Sequence, residues 1–236
     1  MIQELERPLV ALTGAGISAE SGVPTFRGKG GLWRDYHPQQ LATPEAFRQD
    51  PALVWEWYAW RRELIAACLP NPAHRTLVQM ERVMEDVTVI TQNVDGLHQA
   101  AGSEHVLELH GNIWRMRCTD CGNGITDHGV PLPKLPPRCP SCGGLLRPDV
   151  VWFGESLPRE VLDEAWRVVG RCRTMLVVGT SAVVEPAASL PVVARRSGAR
   201  LVEINPDVTR LSEYAHQVLR APAGEALPWW WAARRS

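Results

Sequence analysis

The most specific chemistry in the chain sits in two cysteine pairs, Cys118-x-x-Cys121 and Cys139-x-x-Cys142, with Gly122 and Gly143 following to permit tight turns. Four thiolates at this spacing suit a tetrahedral Zn²⁺ ion, and no further ligand marks an open coordination position. The ion is read as structural, one per chain, holding a segment too small to fold alone. Two redox pairs or an iron–sulfur site are the alternatives. His128, between the pairs, reads as a solvated loop histidine. Leu9 to Gly28 is an apolar run of strand length that breaks into glycines. Within it Gly14-x-Gly16-x-x-Ala19 fits the G-x-G-x-x-G/A pattern of loops that cradle nucleotide phosphates, a weak signal when it stands alone. Further polar groups cluster in Gln92-Asn93-Val94-Asp95, His110-Gly111, Gly179-Thr180-Ser181 and Asn205-Pro206-Asp207.

Each of these clusters follows a stretch that reads as a strand. Val87 to Thr91, Val106 to His110, Met175 to Val178 and Leu201 to Ile204 are short runs rich in β-branched and apolar residues. Val150 to Phe153 and His216 to Leu219 read as strands too. Between them, helices are expected over Pro51 to Leu69, Ala73 to Met84, Pro158 to Gly170 and Pro186 to Arg196. Lys29 to Pro51, rich in Gly, Pro and polar residues, reads as an irregular loop. Residues 112 to 147 carry both cysteine pairs and a proline-rich stretch, and look like an inserted module with little core of its own. Alternating strands and helices imply an α/β fold: a parallel sheet with helices on both faces, which binds its ligand at the carboxyl ends of the strands. Five strand ends with small or polar residues point to one shared site.

Composition limits the function classes. Apolar residues make up 45% and charged residues 22%, as in ordinary globular proteins. A formal net charge of −1 argues against strong binding to nucleic acid. No apolar run approaches a membrane span, and no secretory signal is apparent, so a cytoplasmic protein is expected. Trp229 to Trp231 read as a packing tail or an oligomer contact. The oligomeric state stays open, a monomer included.

Taken in order, the motifs resemble those of the sirtuins. Gly14-Ala15-Gly16-x-Ser18, Gly22-x-Pro24-x-Phe26-Arg27-Gly28, Thr91-Gln92-Asn93-x-Asp95-x-Leu97-His98, His110-Gly111, the cysteine pairs, Phe153-Gly154-Glu155, Gly179-Thr180-Ser181 and Asn205-Pro206 run from Val10 to about Pro228. The resemblance implies an NAD-dependent protein-lysine deacylase folded as one catalytic domain. A large Rossmann-like lobe would span about 1–28, 73–112 and 147–236, and a small lobe about 29–72 (helical) and 113–146 (the zinc-ribbon module). NAD, as co-substrate, and an acyl-lysine protein or peptide would meet between the lobes.

A dehydrogenase fits less well. It commonly places an acidic residue about 20 positions past the glycines. Asp35 is near that distance, but Gly22 to Gly31 leaves no room for the helix and strand that should precede it. Asn205 or Asp207 is a better partner for the adenosine ribose. The resemblance further implies cofactor contacts at Gly14, Ala15, Gly16, Ser18, Ala19, Pro24, Phe26, Arg27, Trp33, Gln92, Asn93, Val94, Asp95, Gly179, Thr180, Ser181, Asn205, Pro206, Asp207 and Ala223. Asn93 and Asp95 would hold the nicotinamide and its ribose, Phe26 would shield that ribose from water, and His110 would be the general base. The acyl oxygen would displace nicotinamide from the ribose, giving nicotinamide, O-acyl-ADP-ribose and free lysine in the end.

Tyr58 and Arg61 stand at i and i+3 on a predicted helix and share a face. A phenolic hydroxyl beside a guanidinium suits a carboxylate, which an acetyl group lacks. Sirtuins of the desuccinylase branch carry such a Tyr-x-x-Arg pair to read malonyl-, succinyl- or glutaryl-lysine, so removal of succinyl or malonyl groups is implied alongside acetyl. Val151, Trp152, Phe153 and Gly154 are expected to pair with the substrate peptide as an added strand. Two other readings compete: an NAD-dependent ADP-ribosyltransferase on the same fold, and a zinc-ribbon nucleic-acid-binding module.

Overall fold

Short apolar segments build the centre of the protein, and their in-register pairing decides where everything else lies. The computed structural model describes residues 6–25 and 41–234. Strand β1 (Leu9–Thr13) is buried along its whole length and lies between β2 (Val87–Thr91) and β7 (Thr174–Val178), parallel to both. With β3 (Val106–Glu108), β8 (Arg200–Ile204) and β9 (Gln217–Leu219) they form a six-stranded parallel sheet ordered β3-β2-β1-β7-β8-β9. The near-continuous apolar runs follow from burial of the sheet on both faces. One face packs on α3 (Pro72–Val83) and α7 (Ala223–Ala232), through Leu77, Met80, Leu227 and Trp230. The other packs on α5 (Arg159–Val169) and α6 (Leu190–Arg196), through Ala165, Val169, Leu190 and Ala194. The expected doubly covered parallel sheet is what forms. Among the described residues no helix is long and apolar enough to cross a membrane.

Two expectations are corrected. Within the supposed loop from Lys29 to Pro51, Pro44–Gln49 forms helix α1. Thr43 caps it by accepting from the Ala46 N–H at 3.1 Å, Pro44 supplies a preset first turn, and Phe47 buries its ring. The strand expected at Val150 to Phe153 also moves. Strand β6 is Leu146–Val150, and it pairs antiparallel with β4 (Gly111–Cys118). The chain then leaves the ladder, because the Trp152 N–H turns to Glu155 Oε2 at 2.9 Å instead of to a strand. Gly111 permits the crossing between the two sheets. Its φ is +79°, and a Cβ there would lie 2.2 Å from the Asp149 carbonyl oxygen.

Strands β4, β5 (Gly124–Thr126) and β6 form a second sheet. Its apolar face is shared. Ile113, Met116, Leu146 and Trp152 pack with Phe47, Trp55 and Tyr58 of α1 and α2 (Pro51–Ala66). The module's interior is therefore completed by the helical segment. Arg62 ties the two together, donating from Nη2 to the carbonyls of Asp127 at 2.6 Å and Gly129 at 3.2 Å. The tryptophan tail behaves as packing: Trp230 and Trp231 are buried in α7, and Trp229 is exposed.

The four paired cysteines converge. Cys118 and Cys142 sulfurs are 3.5 Å apart, Cys121 and Cys139 sulfurs 3.7 Å, and all four lie within 4.8 Å of one another. A tetrahedron of Zn–S bonds near 2.3 Å would set sulfurs about 3.8 Å apart, so the donor set fits one zinc ion. Removing one thiolate should cost the module its fold. Cys139→Ala is expected to give insoluble protein, and metal analysis of the soluble wild type about one zinc per chain. Folded, active protein without zinc would contradict this.

Candidate active site

Because Thr13 pairs with Thr91 and Val178, and Val178 with Ile204, four strands end at one level. The loops that follow them line one cleft of about 760 Å³. From the expected set, Gly14, Ala15, Gly16, Ala19, Gln92, Asn93, Val94, His110, Gly179, Thr180, Ser181, Asn205, Pro206 and Asp207 are on its wall. So are Tyr58, Arg61, Val151, Trp152, Phe153 and Gly154 from the other side. Ser18, Pro24, Asp95 and Ala223 are not on that wall. Phe26, Arg27 and Trp33 lie outside the described residues.

The glycine loop does not run into a long helix. It makes two single 3-10 turns, Ala15–Ile17 and Ala19–Ser21. Its backbone instead meets the loop after β7: the Gly16 N–H donates to the Gly179 carbonyl at 2.8 Å. A Cβ on Gly16 would lie 2.7 Å from Gly179 Cα, so this contact admits no side chain. Backbone thus forms one wall of the cleft, as phosphate-binding loops require.

Behind that wall, Ser18 joins three loops. Its hydroxyl donates to Asp95 Oδ2 at 2.8 Å and accepts from Asn93 Nδ2 at 3.2 Å. His74 Nδ1 accepts from the Asn71 N–H at 3.3 Å, so Nε2 carries the ring proton and faces Ser18 at 3.4 Å. Asp95 is buried, which raises its pKa, while hydrogen bonds from the Leu97 N–H and Ser18 pull it back. Asn93 also donates to the Gly14 carbonyl at 3.1 Å. Burial lowers the pKa of His74 to about 4 and of His98 to about 3, so both stay neutral near pH 7.

His110 is differently placed. Its Nδ1 lies 2.9 Å from the Gln92 carbonyl, which can only accept, so Nδ1 holds the proton and Nε2 is the basic nitrogen. Burial lowers its pKa, partly offset by that hydrogen bond. At neutral pH the ring is therefore ready to take a proton.

The far wall is aromatic and cationic. Tyr58 is 2% exposed and Arg61 is 6% exposed. The Arg61 guanidinium sits 4.8 Å from the Trp57 ring centre and 5.7 Å from that of Tyr58. Burial depresses the Arg61 pKa, opposed by Tyr58 and Asp95, and raises that of Tyr58, which keeps its hydroxyl proton. Residues 151–154, expected to pair with the peptide as an added strand, all line the cleft. The N–H groups of Val151, Trp152 and Phe153 already donate, to the His110 carbonyl, Glu155 and the Ala42 carbonyl.

Some wall residues had not been singled out from the sequence. Trp57 needed only its neighbour Tyr58 as a clue. Glu20 sits between the two glycine motifs, and Thr209 and Pro222 come from segments with no motif of their own.

Residues 14–186 match the Sir2 family. The chain is 55% identical over 219 residues to an NAD-dependent protein deacylase of Aquifex aeolicus (strain VF5), covering 93% of this chain and 92% of the relative. It resembles the crystal structure of a Sir2 homologue–NAD complex with a TM-score of 0.90 at 51% identity, over 96% of this chain and 89% of the other. A Sir2 structure with a deacetylated p53 peptide and 3′-O-acetyl-ADP-ribose matches with a TM-score of 0.84 at 37% identity, over 94% and 92%. With the cleft, the glycine loop and the four-cysteine cluster in the places the motifs implied, this chain belongs to the Sir2 family, the sirtuins.

Proposed function

We propose that the protein is an NAD-dependent protein-lysine deacylase that accepts malonyl and succinyl groups alongside acetyl. The observation that carries this reading is the meeting of His110 with Tyr58 and Arg61 in one cleft whose opposite wall is the glycine loop. The deacylase of Aquifex aeolicus and the NAD complex support the coarse activity. The acyl preference rests on the far wall.

In this reading, the backbone of Gly14 to Gly16 and Gly179 to Ser181 holds the diphosphate. Asn205 and Asp207 hold the adenosine ribose. Asn93 orients the nicotinamide end, and Asp95, behind the wall, holds Asn93 in place through Ser18. A structural zinc ion on Cys118, Cys121, Cys139 and Cys142 takes no part in the chemistry. Positive charge develops on the ribose as the glycosidic bond breaks, and the acidic and carbonyl groups nearby stabilise it. His110 Nε2 takes the proton from a ribose hydroxyl. The acyl oxygen bonds to the ribose carbon as nicotinamide leaves, the activated hydroxyl attacks the resulting imidate, and water completes the transfer, so the products are nicotinamide, O-acyl-ADP-ribose and free lysine. Tyr58 donates its hydroxyl and Arg61 its guanidinium to the carboxylate of the acyl chain.

The decisive experiment offers peptides with acetyl-, malonyl- and succinyl-lysine in the presence of NAD and reads the products by mass. His110→Tyr is expected to abolish O-acyl-ADP-ribose formation with the circular dichroism unchanged; wild-type turnover would reject the assignment. Neutral His110 is the active form, so activity is present above its pKa and lost as pH falls through it. Because burial lowers that pKa, the acid limb of kcat/KM should lie below the ordinary histidine value of about 6.5. Arg61→Met should lower the succinyl-to-acetyl ratio of kcat/KM by about 10- to 100-fold, in keeping with a lost charge-assisted contact. An unchanged ratio would remove the acyl assignment and leave the deacylase reading intact.

A further inference from the structure

Trp152 meets Tyr58 through its indole. Its indole Nε1 lies 3.0 Å from Tyr58 Oη. An indole N–H can only donate, so the tyrosine oxygen is the acceptor. A phenolic hydrogen lies near the ring plane and has two orientations. The indole hydrogen occupies one of them and excludes the tyrosine's own hydrogen from it. The remaining orientation carries that hydrogen away from Trp152, while Tyr58 itself lines the cleft beside Arg61.

The indole is held from several directions. Its backbone N–H donates to Glu155 Oε2 at 2.9 Å. Arg147 stacks its guanidinium carbon 3.5 Å from the ring centre. The same guanidinium is fixed by Glu155, from Nη1 at 2.6 Å and from Nη2 at 2.8 Å, and by the Val150 carbonyl at 3.0 Å. Phe47 lies on the indole at 5.3 Å between ring centres. Trp152 and Tyr58 are 3% and 2% exposed, so water does not compete for the bond between them. A cation over the indole face draws electron density from the ring and strengthens its N–H as a donor. Donation into Oη in turn strengthens the tyrosine hydroxyl as a donor.

We propose that Trp152 is a positioning residue for acyl specificity: its indole N–H, donated to Tyr58 Oη, turns the tyrosine hydroxyl proton into the cleft, where it meets the carboxylate of a malonyl or succinyl chain. The inference rests on the assignment of Tyr58 and Arg61 to that carboxylate. It adds that the pair alone is insufficient, and that a helix bearing both residues without an indole opposite discriminates less.

The test compares Trp152→Phe, Tyr58→Phe, the double variant and Arg61→Met on succinyl- and acetyl-lysine peptides. Trp152→Phe keeps an aromatic ring but removes the donor together with part of the indole's volume, and the Tyr58→Phe background separates the two effects. It should lower the succinyl-to-acetyl ratio of kcat/KM about 5-fold, through the succinyl KM, as expected for one net hydrogen bond. In the Tyr58→Phe background the same change should have no further effect. An equal effect in both backgrounds means that Trp152 acts by packing, and overturns the proposal. If Arg61→Met lowers the ratio and Trp152→Phe does not, the proposal falls and the carboxylate reading stands. If Arg61→Met and Tyr58→Phe both leave the ratio unchanged, the carboxylate reading falls and the proposal with it. A second measurement needs no change at Trp152. In ¹⁵N-tryptophan-labelled protein, its Nε1–H resonance should move upfield in Tyr58→Phe and shift when the succinyl-lysine peptide is added to wild type. A resonance that does neither overturns the proposal.

Discussion

The in-register seating of β1 between β2 and β7 is the constraint on which the site depends. Parallel strands whose ends are level deliver their following loops to one edge. The chain runs outward from β1 through β2 and β3, then returns to β7 and runs outward through β8 and β9. The glycine loop and the loop after β7 therefore face each other at the switch in direction. They touch through backbone, at Gly16 and Gly179, because no side chain fits between them. A slip of one residue would exchange the buried faces of β1 and move its loop away from Gln92 and Asn205.

Behind the cleft, the buried polar groups are costly unless they find partners. Ser18 answers this for Asp95, Asn93 and His74 at once, which fixes the loop after β2 relative to the glycine loop. Glu203 does the same beside the loop after β8. It is buried in β8, accepts from Ser212 at 2.7 Å and from Arg220 at 3.1 Å, and so holds the loop that contains Asn205 and Asp207. Arg220 adds a bond to the Asp207 carbonyl at 2.9 Å. Both arrangements are made by the chain's own side chains, which hold these loops of the cleft in place.

The second sheet is joined to helix α2 by a common interior rather than by a linker. Trp55 donates to the Leu146 carbonyl at 2.7 Å and Arg62 reaches the loop at Asp127. The four-cysteine cluster thus steadies the helix that carries Tyr58 and Arg61, although it lies outside the cleft. This explains how a structural ion can matter to a reaction it does not touch.

Local pattern made much of this legible. The parallel strands, their apolar runs, the cysteine spacing and the polar residues after each strand are readable because each depends on neighbours in the chain. The helix at Pro44–Gln49 was hidden in a Gly- and Pro-rich stretch, and was settled by the Thr43 cap and a buried Phe47. Val150 to Phe153 has the composition of a strand, but Glu155 and Arg147 bind the turn and end the ladder at Val150. What the sequence determined by itself was the set of chemical groups and the order in which the strands would present them. The tertiary structure alone decided that His110 takes the Nδ1–H form, that Ser18 and Asp95 lie behind the wall, and that Trp152 meets Tyr58. Those outcomes turn on hydrogen bonds and burial between residues 18 to 94 positions apart, which no local pattern encodes.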